Sequence, residues 1–198
     1  GGVLGTNGWD RPLRVTAAEH FKLDFIEMDE RHHLTFDTYE EGKLTLDEYL
    51  NRVIFYEKRS FSRDQFKEFM FGESKPYPDM MNLFCSLKSF FNLKVVIVSN
   101  EGRELNAHRI KKFNLSTLVD FYISSSFVHF RKPDVDIYRV ALDATQIPPE
   151  EIVYVDDRAM FVNIAETLGI RGIKHTNFEN TKFKLSELGL TIPIRSSK

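Results

Sequence analysis

The sequence predicts an α/β fold: a parallel, Rossmann-like sheet flanked by helices, with a small helical segment inserted ahead of its first strand. Three observations predict it. Short β-branched runs recur at KVVIVS (94–99), FYISS (121–125), IVYVD (152–156) and GIKH (172–175), each followed by a helical pattern. Strand-helix alternation of this kind implies parallel strands joined by right-handed crossovers. The runs are also continuously apolar, as in strands buried on both faces. Finally, residues 12–74 carry helical periodicity and no strand pattern. The expected division is an α/β core of residues 1–11 and 75–198, with residues 12–74 as a helical cap of two to four helices.

Within the helical segment, Thr45 and Glu48 form a T-x-x-E capping box ahead of an apolar face of Leu46, Tyr49, Leu50, Val53 and Ile54. Ser62 and Gln65 repeat the device, with Phe66, Phe69 and Met70 behind them. The charged run Asp29, Glu30, Arg31, His32 and His33 is expected between helices. Gly72 to Pro76 is the expected return linker. A helix over 78–91 starts at Pro78 and puts Met80, Phe84, Leu87 and Phe91 on one side. Helices are then expected at 102–112, 134–145, 159–168 (stopped by Gly169) and 179–188, alternating with the four strands.

Composition narrows the function. With 198 residues, the chain fits one domain with an inserted subdomain. A net charge of −2 with interspersed signs gives no basic footprint for nucleic acid or an anionic membrane. The single cysteine, Cys85, rules out an internal disulfide and suits a reducing compartment, so a cytoplasmic location is expected. No apolar run approaches the ~20 residues that span a bilayer. A monomer or weak homodimer is expected, with a small-molecule substrate. The six histidines show no metal-ligand spacing, and Cys85 reads as a core residue without a histidine partner.

Chemistry concentrates at three strand ends or turns. Ser99 and Asn100 close an apolar strand just before a helix start, where exposed amides and a hydroxyl can bind an anion. Lys132 precedes Pro133, which favours an extended backbone at the lysine. Its ammonium is expected on an exposed loop, so that its loss changes stability little. Asp156 and Asp157 end another apolar strand; two adjacent carboxylates there call for a cation, and Mg²⁺ suits them as a hard ion. Lys132 lies 33 residues after Ser99 (132 − 99) and 24 before Asp156 (156 − 132), which lets all three project from one sheet edge. Taken alone, each has a plainer alternative: a strand-ending turn, a solvated Lys-Pro, an acidic helix cap.

In order and spacing these segments resemble motifs II, III and IV of the haloacid dehalogenase superfamily. Gly1-Gly2-Val3-Leu4 is similar to the end of that family's D-x-G-G-V-L variant of motif I. The resemblance covers essentially the whole chain and looks closest to the branch with a short helical cap, which includes sugar-phosphate phosphatases and epoxide hydrolase phosphatase domains. It implies a nucleophilic aspartate two residues before Gly1, with Gly1 in the slot where most phosphatases carry a second, acid/base aspartate. It implies Mg²⁺-dependent hydrolysis of small phosphomonoesters, such as sugar phosphates, through an aspartyl-phosphate. Ser99, Lys132 and Asp157 would act in catalysis, and Ser99, Asn100, Lys132 and Trp9 would contact substrate. Mg²⁺ would be held by the nucleophile, the Gly1 carbonyl and Asp157, with Asp156 as a ligand or just behind. Trp9 and Asp10 are expected at the mouth between core and cap. The sequence departs from the pattern at Glu101, an acid beside an anion site that suits it only if turned away to cap the helix. It departs again at Met160, Phe161 and Val162, where a further polar residue is usual and Asn163 is the nearest substitute. A metal-independent 2-haloacid dehalogenase and a catalytically inactive binding protein are the alternatives.

Overall fold

A computed structural model describes residues 1–193 of the chain. Five helices fill the first third: α1 (Arg11–Phe21), α2 (Phe25–His33), α3 (Phe36–Glu40), α4 (Leu46–Val53) and α5 (Arg63–Gly72). Their starts follow local chemistry. Asp10 and Asp24 accept hydrogen bonds from the first-turn amides of α1 and α2, and Thr45 and Ser62 complete both expected capping boxes. There is one helix more than the two to four expected. Lys22, in the left-handed region at φ 54, and Leu34–Thr35 break the pattern without a glycine or proline between residues 13 and 41 to mark it. The run Asp29 to His33 is likewise not a connection but the end of α2.

The apolar faces of these helices meet in one cluster around Tyr49, Leu50, Val53, Ile54 and Phe66, all fully buried. Arg14 is buried with them, held by Asp29 at 2.8 and 3.0 Å and by the Trp9 carbonyl. The Tyr49 phenol joins two partners, Trp9 Nε1 at 2.6 Å and His32 Nδ1 at 2.7 Å. An indole only donates, which leaves the Tyr49 proton available to a neutral His32 Nδ1. Burial, aided by the nearby Arg14 charge, pushes the His32 pKa down to about 3.

The remaining chain alternates: α6 (Pro78–Phe91), β1 (Val96–Ser99), α7 (Arg103–Lys112), β2 (Phe121–Ser124), α8 (Ser125–Val128), α9 (Val135–Thr145), β3 (Val153–Asp156), α10 (Ala159–Thr167), β4 (Arg171–Lys174) and α11 (Phe178–Glu187). Every expected strand and helix is present with bounds within two residues; α8, a single turn, was not foreseen. β1 runs parallel to β2 with Ser99 opposite Ser124, and β3 parallel to β4 with Asp156 opposite Lys174. Among the described residues the two pairs do not hydrogen-bond to each other. The pleat sends Val96, Val98 and Tyr154 into a cluster with Ile137 and Tyr138, while Val153 and Val155 pack with Leu87 and Leu185. The segments leading into and out of the helices pair with each other, since Leu4 accepts from the Tyr77 amide and Thr6 donates to Lys75, both at 2.9 Å. Leu105 of α7 belongs to the helical cluster and ties it to the rest. No helix among the described residues is long and apolar enough to cross a membrane.

Two stability predictions follow from the helical segment. Thr45→Ala removes the acceptor for the Glu48 amide and should cost about 1 kcal/mol in denaturant unfolding. His32 binds its proton far more weakly folded than unfolded, so its contribution is complete above about pH 6.5 and declines as pH falls toward about 3. The slope should be about 1.4 kcal/mol per pH unit. His32→Gln, which keeps an acceptor for Tyr49 but does not titrate, should flatten that part of a stability-against-pH curve.

Candidate active site

Lys132 and Asp156 form the centre. Lys132 Nζ donates to Asp156 Oδ2 at 2.7 Å, to the Val98 carbonyl at 3.0 Å and to Tyr154 Oη at 3.0 Å. An ammonium has three protons, and all three are used. Tyr154 in turn donates to Asp156 Oδ2 at 2.6 Å, and the Arg158 amide takes Asp156 Oδ1 at 2.9 Å. Both charged groups are only 6 % exposed. The expectation of a solvated loop lysine is overturned, because a side chain this long reaches back between the strands to a carboxylate. Burial lowers the Lys132 pKa against the opposing pull of Asp156; burial raises that of Asp156, but the ammonium outweighs it and the net direction is down.

Asp157 is in a different situation. It is half-buried, and its recorded hydrogen bond is a long one from Asn7 Nδ2, at 3.3 Å. It lines a cleft of about 440 Å³ together with Gly2, Asn7, Tyr77 and His175. Gly2 sits at φ 74, and a β-carbon there would fall 2.3 Å from the Asp157 carboxyl carbon. Only glycine lets the first loop lie against this carboxylate. A hard cation needs oxygen ligands of this kind, and the Asp157 carboxylate fits that chemistry. Of the two roles expected for Asp156, the geometry fits support from behind, since both its oxygens are already bonded within the protein.

Ser99 completes the arrangement. It is 9 % exposed and its Oγ has no hydrogen-bond partner. The turn after it leads through Gly102 into α7, whose start no side chain caps. The Asn100 side chain is committed elsewhere, donating to the Lys132 carbonyl at 2.7 Å and accepting from the Lys132 amide at 2.8 Å. It fixes the backbone that carries the lysine. Glu101 pairs with buried Arg109 at 2.6 Å, with its carboxylate against Gly8 of the first loop, and does not cap the helix. Arg109 also donates to the Thr6 carbonyl, tying α7 to the first loop.

Other expected residues lie apart from this cluster. Trp9 is half-buried in the helical segment, edge-on to Phe66 at 5.6 Å and bonded to Tyr49, while Asp10 caps α1. Asn163 is exposed on α10, as is Met160, so neither stands in for the missing polar position. Tyr154 was not foreseen. Its place two residues before Asp156, hence on the same strand face, was the available signal. The Glu101–Arg109 pair had no comparable signal, being eight residues apart with Glu101 in the turn before α7.

The haloacid dehalogenase-like hydrolase family matches residues 6–162. Flavin mononucleotide hydrolase 1 of Arabidopsis thaliana is 24 % identical over 164 residues, 83 % of this chain and 66 % of the plant protein. (S)-2-haloacid dehalogenase 1 of a Pseudomonas strain is 26 % identical over 104 residues, 52 % of this chain and 45 % of that enzyme. The chain thus spans less than two thirds of either relative. In fold it is similar to a HAD-like hydrolase of Porphyromonas gingivalis, at a TM-score of 0.76 and 19 % identity over 95 % of this chain and 93 % of that one. It is also similar to a HAD family enzyme of Bacteroides thetaiotaomicron solved with magnesium and inorganic phosphate, at 0.74 and 19 % over 89 % and 90 %.

Lys132→Ala would strand the Asp156 carboxylate in a buried site. It should destabilise the protein by about 3–5 kcal/mol, the usual cost of breaking one side of a buried pair. Chemical denaturation against wild type checks this; a change under about 0.5 kcal/mol would return the lysine to the surface class.

Proposed function

The chain belongs to the haloacid dehalogenase-like hydrolases, and we propose that within this family it is a magnesium-dependent phosphomonoesterase acting on small phosphorylated metabolites, sugar phosphates foremost. One observation carries the proposal: an unpartnered buried hydroxyl at Ser99, an ammonium at Lys132 braced by Asp156, and a carboxylate at Asp157 laid against Gly2. The flavin mononucleotide hydrolase relative and the phosphate-bound structural neighbour support it.

Residues 12–74 act as a cap over a core of residues 1–11 and 75–198. Ser99 Oγ and the amides leading into α7 other than that of Glu101, which Ser125 holds, receive the phosphoryl oxygens, where the helix dipole favours negative charge. Lys132 keeps a positive charge beside them, and its bonds to Val98 and Tyr154 are the ones it exchanges for substrate oxygens. Asp157 and the Gly1 carbonyl would hold Mg²⁺, which supplies a second positive charge to the phosphoryl group. The attacking carboxylate is expected at the edge between β1 and β3, two strands that do not pair with each other among the described residues. Positioning and charge neutralisation supply most of the rate enhancement.

The dehalogenase alternative rests on the Pseudomonas relative. It fits less well, because Asp157 has no cationic side chain bonded to it and would repel a carboxylate substrate.

The test is release of inorganic phosphate by the full-length protein from sugar phosphates and p-nitrophenyl phosphate, with and without EDTA, alongside halide release from 2-chloropropionate. Phosphate release abolished by chelation is expected. Asp157→Asn should lose roughly 10²-fold or more in kcat while its unfolding midpoint stays near wild type. Undiminished turnover under EDTA, or halide release in place of phosphate, would overturn the proposal.

A further inference from the structure

Tyr39, on α3, is only 3 % exposed, yet its hydroxyl has no hydrogen-bond partner. Its ring stacks on Tyr49 with centroids 4.7 Å apart and an interplanar angle of 23°. Tyr49 is itself fixed by Trp9 and His32, so Tyr39 rests on a rigid platform. The far end of the ring closes on Gly102. A β-carbon built there would lie 2.0 Å from Tyr39 Cζ and 2.3 Å from its hydroxyl oxygen. Gly102 is the N-cap residue of α7, a helix of ten residues whose start no side chain caps. A second unpartnered hydroxyl, Ser99 Oγ, belongs to the same turn three residues earlier. Two buried hydroxyls, one from the helical segment and one from the α/β core, thus flank the start of one helix without an acceptor for either.

Native proteins rarely leave such groups unsatisfied, and a ligand oxygen between them answers both. A helix start and two hydroxyl donors favour an anionic ligand, and the charge of nearby Glu101 is offset by its ion pair with Arg109. We propose that Tyr39 is a substrate-contacting residue supplied by the helical segment, its hydroxyl donating a hydrogen bond to the phosphate ester held at the start of α7; this rests on the phosphatase reading above. Burial, with the negative charge of Glu104 and Glu101 nearby, raises the Tyr39 pKa well above the usual phenol value, so the group remains a donor. The contact also gives the segment a means of recognising that the site is filled, because Tyr39 reaches the phosphate only when the segment lies on α7.

One competing acceptor exists. Glu104, in the first turn of α7, takes the Leu46 amide with Oε1 at 2.9 Å and leaves a buried Oε2 without a partner. Tyr39→Phe separates the two possibilities, since it keeps the ring and its stacking and removes only the oxygen. The experiment is calorimetric titration of inorganic phosphate into the magnesium-loaded full-length protein, with melting temperatures taken without phosphate. Phosphate affinity of Tyr39→Phe is expected to fall roughly tenfold or more, with a ligand-free melting temperature equal to or above wild type. Unchanged affinity overturns the proposal. So does a lower ligand-free melting temperature, which would assign the hydroxyl to Glu104. Ser99→Ala keeps the failures distinct. If it weakens phosphate binding and Tyr39→Phe does not, only the Tyr39 contact fails; if neither variant changes affinity, the phosphate site itself is wrong.

Discussion

The two strand pairs of this protein share no backbone hydrogen bonds among the described residues, and the Lys132 ammonium bridges them. It bonds the Val98 carbonyl on β1 and the Asp156 carboxylate on β3 at once. A buried ion pair of this kind is weak evidence for stability, because removing both charges from water costs several kcal/mol that their attraction only partly returns. What it secures is position. The cation is held at the carboxyl ends of both strands, with Tyr154 filling the third direction and Asn100 pinning the lysine's own backbone. Everything else at this edge is arranged around a charge that has no freedom to wander.

Much of this was legible in the sequence. Strand positions followed from continuous apolar runs, both capping boxes from Thr45–Glu48 and Ser62–Gln65, and the meeting of Lys132 with Asp156 was compatible with their spacing. Partnership was harder to read. Lys132 looked like a turn lysine because its depth depends on where a long side chain folds back, and no local pattern encodes that. Glu101 looked misplaced beside an anion site because its neutralising partner, Arg109, is buried by packing of α7 against the first loop. The helix breaks at Lys22 and Leu34 were hidden for a related reason. Neither position carries a residue that forces a break, so tertiary packing decides.

The distribution of unpartnered groups is uneven in an informative way. Ser99 Oγ, Glu104 Oε2, Asn106 Nδ2 and Arg109 Nε all lack partners, and all lie in α7 or the turn before it. Tyr39 Oη faces the same helix. Each such group costs about 1–3 kcal/mol when buried. By contrast, the other contact between helical segment and core is well satisfied. Ser125 Oγ donates to the Glu40 carbonyl at 2.7 Å, His129 meets the Glu41 carbonyl at 2.7 Å, and Arg131 takes the Glu40 carboxylate at 2.7 and 3.0 Å. Most of the unsatisfied polarity, Tyr122 Oη on β2 and Asn180 Oδ1 on α11 apart, thus gathers at α7 and the turn before it, where a polar ligand has something to bind.

The satisfied contact and the site are also joined through the chain itself. Arg131, which grips Glu40, is the residue before Lys132, and Ser125, which holds the Glu40 carbonyl, receives the amide of Glu101 at 3.1 Å. Burial raises the Glu40 pKa even though Arg131 opposes it, so this grip is made at the expense of solvation and is not a loose surface pair. Seating the helical segment therefore bears on two stretches of backbone, one carrying the ammonium and the other the anion-binding turn. Neither stretch is held from the core side alone. The helical segment is in this sense part of the site's construction and not an accessory laid over it, which explains why Tyr39 and Tyr49 are as deeply buried as the core they adjoin.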